Sequence, residues 1–117
     1  MEDRLYNLTM DFSVRVIKLA NVLRANNESI VSNQIARSAT SVGANYSEAK
    51  YAASPADFVN KLRIALKEAN ETAYWLEILL NSEYINEEEY KPLEELCRKI
   101  KILLIKSINT TVKNNDL

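Results

Sequence analysis

The sequence predicts an all-α fold, an antiparallel up-down-up-down four-helix bundle that forms one domain over residues 1–117. The chain of 117 residues contains one glycine and two prolines, whereas sheets and tight turns depend on those residues for their backbone angles. Apolar residues recur at three- and four-residue steps through four long segments. The length suits a single domain, and short connections between long helices favour antiparallel neighbours.

The first helix is predicted from about Asp3 to Arg24. Its core-facing positions are Leu5, Leu8, Phe12, Val16, Leu19 and Leu23. A second apolar line runs beside them through Met10, Val14, Ile17 and Ala20. Together the two lines make an apolar stripe wider than one core seam requires.

The second helix, predicted from about Val31 to Ala52, consists largely of small side chains. Ala, Ser, Thr and Gly occupy most positions between Ala36 and Ala53, while Val31, Ile35, Val42 and Tyr46 keep a core line. Small residues allow helix axes to approach closely, so neighbours are expected on several sides. Ser29 or Ser32 is the expected N-cap, because a hydroxyl can accept a hydrogen bond from the first turn.

The third helix has the clearest start signal in the chain. Ser54 at the cap, Pro55 at the first helical position and Asp57 in the first turn together predict a helix N-terminus. The helix is expected to continue to about Leu80. Its inward residues are Phe58, Leu62, Ala65, Leu66, Ala69, Ala73, Leu76, Leu79 and Leu80.

The fourth helix is predicted to begin after Asn86, with Glu89 completing a capping box. Pro92 lies too deep for the first turn, so a kink or a short preliminary turn is expected there. The core face comprises Leu93, Leu96, Ile100, Leu103, Leu104, Ile108 and Val112.

The composition gives little support to catalysis, and we expect no enzymatic activity and no cofactor. A di-metal carboxylate site in a bundle uses Glu-x-x-His pairs, and this chain contains no histidine. The usual general base near neutral pH is therefore absent. One glycine cannot build a phosphate-binding loop. A metal or small-molecule site lined by Arg37, Glu48, Glu68 and Glu71 remains as a minor alternative.

Several polar residues fall on otherwise inward faces of the second and third helices. They are Arg37, Asn45, Glu48, Glu68 and Glu71. We interpret them as an interhelical polar network in which Arg37 pairs with a glutamate across the helix interface and fixes register. The alternative is a pocket for a polar ligand.

The net charge of −1 and the pI near 5.5 provide no global field to attract phosphate. Basic residues nevertheless collect on the fourth helix, where Lys99, Lys106 and Lys113 align at seven-residue steps. The candidate nucleic-acid residues are Arg98, Lys99, Lys101, Lys106 and Lys113. A solvated face that complements the helix dipole is the competing explanation, because acidic residues lead this helix and basic residues trail it.

Three features predict self-association. Tyr74 and Trp75 are adjacent, so both cannot face one core, and such amphipathic rings are favoured at subunit contacts. The doubled stripe of the first helix and the small residues of the second add further surface. A homo-oligomer is therefore expected.

The remaining sequence signals concern redox state and location. Cys97 is the only cysteine, and its place in an amphipathic helical pattern predicts a small, partly buried side chain. No stretch approaches a membrane span, and the N-terminus lacks a signal-peptide pattern. We therefore expect a cytoplasmic protein with no membrane association.

Three runs of sequence resemble a known family. They are RSATSVGANYSEA (Arg37 to Ala49), DFVNKLRIALKEANET (Asp57 to Thr72) and YWLEIL (Tyr74 to Leu79). They are similar to the four-helix bundle family named after the intervening-sequence protein of 23S ribosomal RNA. This resemblance implies a ring-like assembly, a pentamer, with no established catalytic activity. A related branch, the accessory proteins of diversity-generating retroelements, implies nucleic acid and a reverse transcriptase as partners, although that branch is basic.

Two hypotheses of function follow. The first is a non-enzymatic, oligomeric helical scaffold or adaptor with an RNA- or ribonucleoprotein-associated role, whose partner is RNA or a nucleic-acid-processing protein. The alternative is a direct nucleic-acid-binding module that uses the basic stripe of the fourth helix.

Overall fold

The computed structural model describes residues 2–117 and consists of four α-helices. They are α1 (Arg4–Ala25), α2 (Ile30–Ala49), α3 (Pro55–Asn81) and α4 (Glu87–Asn114). Helix α1 packs against α2 and α4, and α3 packs against the same two helices, so the four helices enclose one core. No strand occurs in the described residues, and the all-α four-helix bundle is confirmed. The bundle measures 48 × 26 × 21 Å.

The starts of α3 and α4 lie where the sequence predicts them. Ser54 Oγ accepts a hydrogen bond from the Asp57 N–H at 3.1 Å. Asn86 Oδ1 accepts from the Glu89 N–H at 2.9 Å, and Glu89 Oε1 accepts in return from the Asn86 N–H at 3.1 Å. Both caps are confirmed, because each depends only on residues three positions apart.

The start of α2 differs from the prediction. Ser29 occupies the cap position but its side chain makes no capping bond. The carboxylate of Glu28 instead accepts hydrogen bonds from the N–H groups of Ile30, Val31 and Ser32 at 3.0, 2.9 and 2.8 Å. Three donors and the positive end of the helix dipole outweigh the single bond that a hydroxyl accepts.

The end of α2 and the interior of α4 also differ from the sequence prediction. Helix α2 ends at Ala49 rather than Ala52, because the last turn tightens into i→i+3 bonds from the Tyr51 and Ala52 N–H groups. Helix α4 includes Pro92 without interruption, so of the two predicted alternatives, a kink or a short preliminary turn, the preliminary turn is wrong. Because Pro92 has no N–H group, the Glu88 carbonyl lacks its helical partner. Glu88 is exposed, so water can donate to that carbonyl instead.

The predicted core faces are buried. Phe12, Ile35, Leu62, Leu76 and Leu104 are fully inaccessible to solvent, and partly buried apolar residues from every helix pack around them. None of the helices over residues 2–117 is long and apolar enough to cross a membrane.

Candidate interaction surfaces

Helices α1 and α2 approach each other closely at Gly43. A side-chain carbon at that position would lie 3.3 Å from both Cβ and Oγ1 of Thr9. Ser13 Oγ donates to the Ala39 carbonyl from the neighbouring helix at 3.4 Å. The small residues of α2 therefore set the α1–α2 spacing.

A groove of about 220 Å³ lies on the outer side of this contact. Its lining residues are Tyr6, Thr9, Met10, Ser13, Thr40, Gly43, Ala44 and Ser47. None of them is charged at neutral pH. Val14 and Ile17 continue the exposed apolar line of α1 beyond Met10. We refer to the lining residues together with Val14 and Ile17 as the α1–α2 face.

The large side chains of the α1–α2 face stand in solvent. Met10 is 47% exposed, and Val14 and Ile17 are each 42% exposed. Of the second apolar line predicted for α1, only Ala20 is buried. The line thus lies outside the core of this chain, where it forms a surface.

A charged cluster bounds the α1–α2 face at one end. The Asp3 carboxylate accepts from the Tyr46 hydroxyl at 2.9 Å and pairs with Lys50, whose ammonium lies 4.7 Å from the centre of the Tyr6 ring. Burial and the bond to Asp3 raise the pKa of Tyr46 to about 12. Burial tends to raise the pKa of Asp3, but the bonds from Lys50, the Tyr6 N–H and Tyr46 outweigh it, so that pKa is lowered.

The other flank of α2 carries a charged network with α3. Arg37 Nη2 lies 2.6 Å from both carboxylate oxygens of Glu71, and Arg37 Nη1 lies 3.1 Å from Glu68 Oε2. Trp75 Nε1 donates to Glu71 Oε1 at 3.3 Å. The hydrogen bond from Arg37 is the largest effect on the Glu71 carboxyl and lowers its pKa against the opposing effect of burial.

Asn45 and Glu48 do not belong to this network, and the prediction needs correction for both. Asn45 Nδ2 donates to the Ser41 carbonyl of its own helix at 2.8 Å. Glu48 instead faces Lys61, with 3.4 Å between Oε2 and Nζ. Helical spacing indicates which side of α2 a residue occupies, but the height of its partner on α3 depends on how the two helices align.

The interface between α2 and α3 also contains a buried pair of hydroxyl groups that the sequence did not predict. The hydroxyl oxygens of Ser38 and Thr72 lie 2.8 Å apart, and both residues are fully buried. Their small side chains predicted close packing, but nothing in the sequence identified which hydroxyls meet.

The alternative of a carboxylate metal site has no supporting cluster. Glu68 and Glu71 are both engaged by Arg37, and Glu48 pairs elsewhere. Within residues 2–117, no group of three His, Cys, Asp or Glu side chains is placed to hold a metal ion.

The candidate basic residues of α4 lie on two different edges. Lys99 borders a cavity with Leu8 and Arg15 of α1, and Lys106 and Lys113 follow at seven-residue steps on that edge. Lys101 and Arg98 lie on the edge that faces α3. The five residues therefore do not form one surface.

The α3-facing edge of α4 is identified by Cys97. Its thiol donates to the Ala69 carbonyl of α3 at 3.3 Å. Burial raises the pKa of Cys97 to about 11, an increase that the charge of Lys101 opposes and that of Glu94 reinforces. Arg98 pairs with Glu94 at 3.5 Å. The buried, protonated thiol is a packing group, as the sequence suggested.

The adjacent aromatics of α3 point in different directions, as predicted. Tyr74 is 58% exposed, whereas Trp75 packs against the core. Their ring centres lie 5.5 Å apart in an edge-to-face arrangement.

Comparison with known proteins assigns a family. The family model of the 23S rRNA-intervening sequence protein matches residues 1–106. A crystal structure from Bacteroides thetaiotaomicron, described as a protein with unknown function from the S23 ribosomal protein family, is similar with 47% identity and a TM-score of 0.86. That match covers 89% of this chain and 97% of the other. No curated protein matches. The chain belongs to the 23S rRNA-intervening sequence protein family.

Proposed function

We propose that this protein is a non-enzymatic scaffold or adaptor that works as a homo-oligomer. The observation that carries the proposal is the α1–α2 face, which exposes large apolar side chains without a charged residue among them. In a chain with 26% charged residues, an uncharged surface of this kind is unusual. Contiguous apolar patches rimmed by polar residues mark protein–protein interfaces.

The shape of the α1–α2 face also suits helix packing between subunits. Met10, Val14 and Ile17 project from α1, while Gly43 and Ala44 leave a shallow trough on α2. Large side chains of one helix that enter a trough of small residues on another give close packing without strain.

The finer architecture we propose is an alternating bundle assembled into a pentameric ring. Alternation is supported by contacts at both ends of α1, because Asp3 before it meets Lys50 after α2, and Arg24 near its end donates to Asn33 near the start of α2. The ring of five rests on the family resemblance.

The proposed partner of the scaffold is RNA or a nucleic-acid-processing protein, in the cytoplasm. The family's association with ribosomal RNA supports this role. Direct binding by the α4 stripe alone has less support, because the two edges of α4 divide its basic residues.

The mass of the protein in solution tests self-association. Light scattering at micromolar concentration is expected to give a multiple of the 13.4 kDa chain mass. Met10→Glu places a charge on the α1–α2 face and is expected to yield monomers, because a buried unpaired charge at an interface is costly.

Val22→Glu is the matched control, since Val22 is 56% exposed on the same helix but lies off the α1–α2 face. This variant is expected to keep the mass of the unaltered protein, and helical circular dichroism should be equal for both variants. A monomeric unaltered protein, or equal dissociation by both substitutions, would contradict the proposal.

A further inference from the structure

The outer surface of α3 carries a stripe with an unusual set of side chains. Its members, at steps of three and four residues, are Asn60, Arg63, Lys67, Asn70 and Tyr74. All five are exposed, and none is acidic. We call this set the α3 stripe. Two amides, two cations and one aromatic ring share one side of a helix.

Between Asn60 and Tyr74 the two acidic residues of α3 lie beside the stripe, and Asp57 at the start of the helix accepts a hydrogen bond from the Ala53 N–H. Glu68 and Glu71 turn toward α2, where Arg37 binds both. Glu77 is exposed and follows Tyr74 by three residues, so it ends the stripe at its C-terminal side. The five stripe residues therefore include two cations and no acid, although the whole chain carries a net charge of −1.

Helix α4 adds two cations beside the stripe. The bond from Cys97 to Ala69 fixes the heights at which α3 and α4 meet. Lys101 follows Cys97 by about one helical turn, and Arg98 is the residue directly after Cys97. Arg98 is 59% exposed even in its long pair with Glu94.

The four cations share one segment of the bundle. In the alternating arrangement proposed above, Arg63 and Lys67 lie at the same height as Lys101 and Arg98, within a length of roughly 10 Å. The axes of packed helices lie about 8–10 Å apart. Arg63, Lys67 and Lys101 make no salt bridge within the part of the chain that the structure describes.

The geometry points to the α3 stripe, with Arg98 and Lys101, as a binding surface for single-stranded RNA. Arg63 and Lys67 contact backbone phosphates, and the Asn60 and Asn70 amides can donate to and accept from base edges. The exposed ring of Tyr74 provides a platform for one base. Single-stranded binders combine cations that follow the backbone with aromatic rings that stack on bases.

A duplex suits this surface less well. Bases of an A-form helix are stacked inside, where an aromatic side chain cannot reach their faces. The inference rests on the proposed RNA-associated role and identifies the surface that performs it. It does not depend on self-association.

Fluorescence anisotropy with a labelled oligouridylate of about 16 nucleotides, the upper end of the site size of one single-strand-binding fold, tests the inference. The unaltered protein is expected to bind at low salt and to weaken as salt rises. Arg63→Gln combined with Lys67→Gln should lower the slope of log affinity against log salt by about 1.4, since each single-strand phosphate contact contributes about 0.7.

Tyr74→Ala separates stacking from charge. Its affinity is expected to fall about tenfold, within the range for one stacked base, while the salt slope stays unchanged. A duplex RNA of the same length should bind the unaltered protein more weakly and should not distinguish Tyr74→Ala from it.

Lys99→Gln combined with Lys106→Gln is the matched control, because it removes the same charge from the α1-facing edge of α4. It is expected to change affinity less than twofold. Equal losses from both double variants would overturn the inference but leave an RNA-associated role through diffuse charge. Absence of binding at low salt would overturn both the inference about the α3 stripe and the proposed RNA-associated role. The mass of the oligomer would still test self-association independently.

Discussion

Both flanks of α2 carry small side chains, yet the surface beside one flank is apolar and the surface beside the other is charged. Toward α1, Gly43 meets Thr9 in direct contact, and the outer rim is apolar and open to solvent. Toward α3, Ser38 bonds to Thr72 inside, and Arg37 closes the outer rim with two carboxylates.

The difference separates two uses of small side chains. On the α3 flank, the buried hydroxyls bond to each other and the charged groups at the rim pair within the chain. On the α1 flank, small residues bring the helices together mainly by shape, beside the long bond from Ser13 Oγ to the Ala39 carbonyl, and the large apolar side chains of α1 remain exposed. Packing that depends on shape should respond most to added volume, and packing that depends on polar bonds should respond to their removal.

The largest expected effect comes from adding volume on the α1 flank. Gly43→Val should lower the free energy of unfolding by about 2 kcal/mol, because the new atoms would overlap Thr9 in a close-packed interface. Urea denaturation followed by circular dichroism measures this. An unchanged midpoint would show that spacing is not set at Gly43.

Gly43→Ala sharpens this comparison. Alanine gains about 0.5–1 kcal/mol over glycine in a helix interior, but its Cβ would lie 3.3 Å from Thr9. We expect these effects to offset each other, so that stability changes far less than in Gly43→Val.

Removal of the buried hydroxyl on the α3 flank should have an intermediate effect. Thr72→Val keeps the shape but loses the contacts of the hydroxyl with Ser38 and with the Glu68 carbonyl of its own helix, and the free energy of unfolding should fall by about 1 kcal/mol. Thr111→Val is the matched control, because the Thr111 hydroxyl bonds only to the Ser107 carbonyl of its own helix. Equal destabilisation of both variants would mean that the cross-helix bond adds nothing.

A smaller effect than that of Thr72→Val is expected at the exposed rim of the α3 flank. Arg37→Met should cost about 0.5 kcal/mol, because half-exposed ion pairs are screened by water. Arg15→Met, which breaks the exposed pair with Asp11, should cost less. The difference between Arg37→Met and the unaltered protein should shrink in high salt.

The contribution of Arg37 should also depend on pH. Arg37 lowers the Glu71 pKa below its ordinary value of 4.5, so the stabilisation is present above that value and is lost as pH falls through the folded-state pKa. Denaturation curves of Arg37→Met and the unaltered protein should therefore converge in acid. A constant difference from neutral to acidic pH would show that Glu71 is not responsible.

Much of the fold was readable from the sequence, because the signals were local. The caps at Ser54 and Asn86 join residues three apart, and the core faces repeat with the helical period. Glu28 was missed although its bonds are also local, because a glutamate one position before the N-cap does not match the Ser, Thr, Asp or Asn pattern that predicts a cap.

The surfaces were less predictable, because they depend on pairs of helices. The spacing on α2 placed Arg37 and Glu48 on one side, but their partners on α3 are different residues. The basic residues of α4 looked like one group in sequence, yet Lys99 lies toward α1 and Lys101 toward α3. No pattern along one helix specifies which neighbour lies on each flank.

The sequence by itself determined that this protein forms four helices, where α3 and α4 begin and which apolar face of each helix is buried. Those properties arise from hydrogen bonds and periodicities within one segment. Only the tertiary structure decided that Met10, Val14 and Ile17 stay exposed, that Arg37 joins Glu68 and Glu71, and that Lys99 and Lys101 lie toward different neighbours. These follow from the rotation and alignment of one helix against another, which local sequence does not specify.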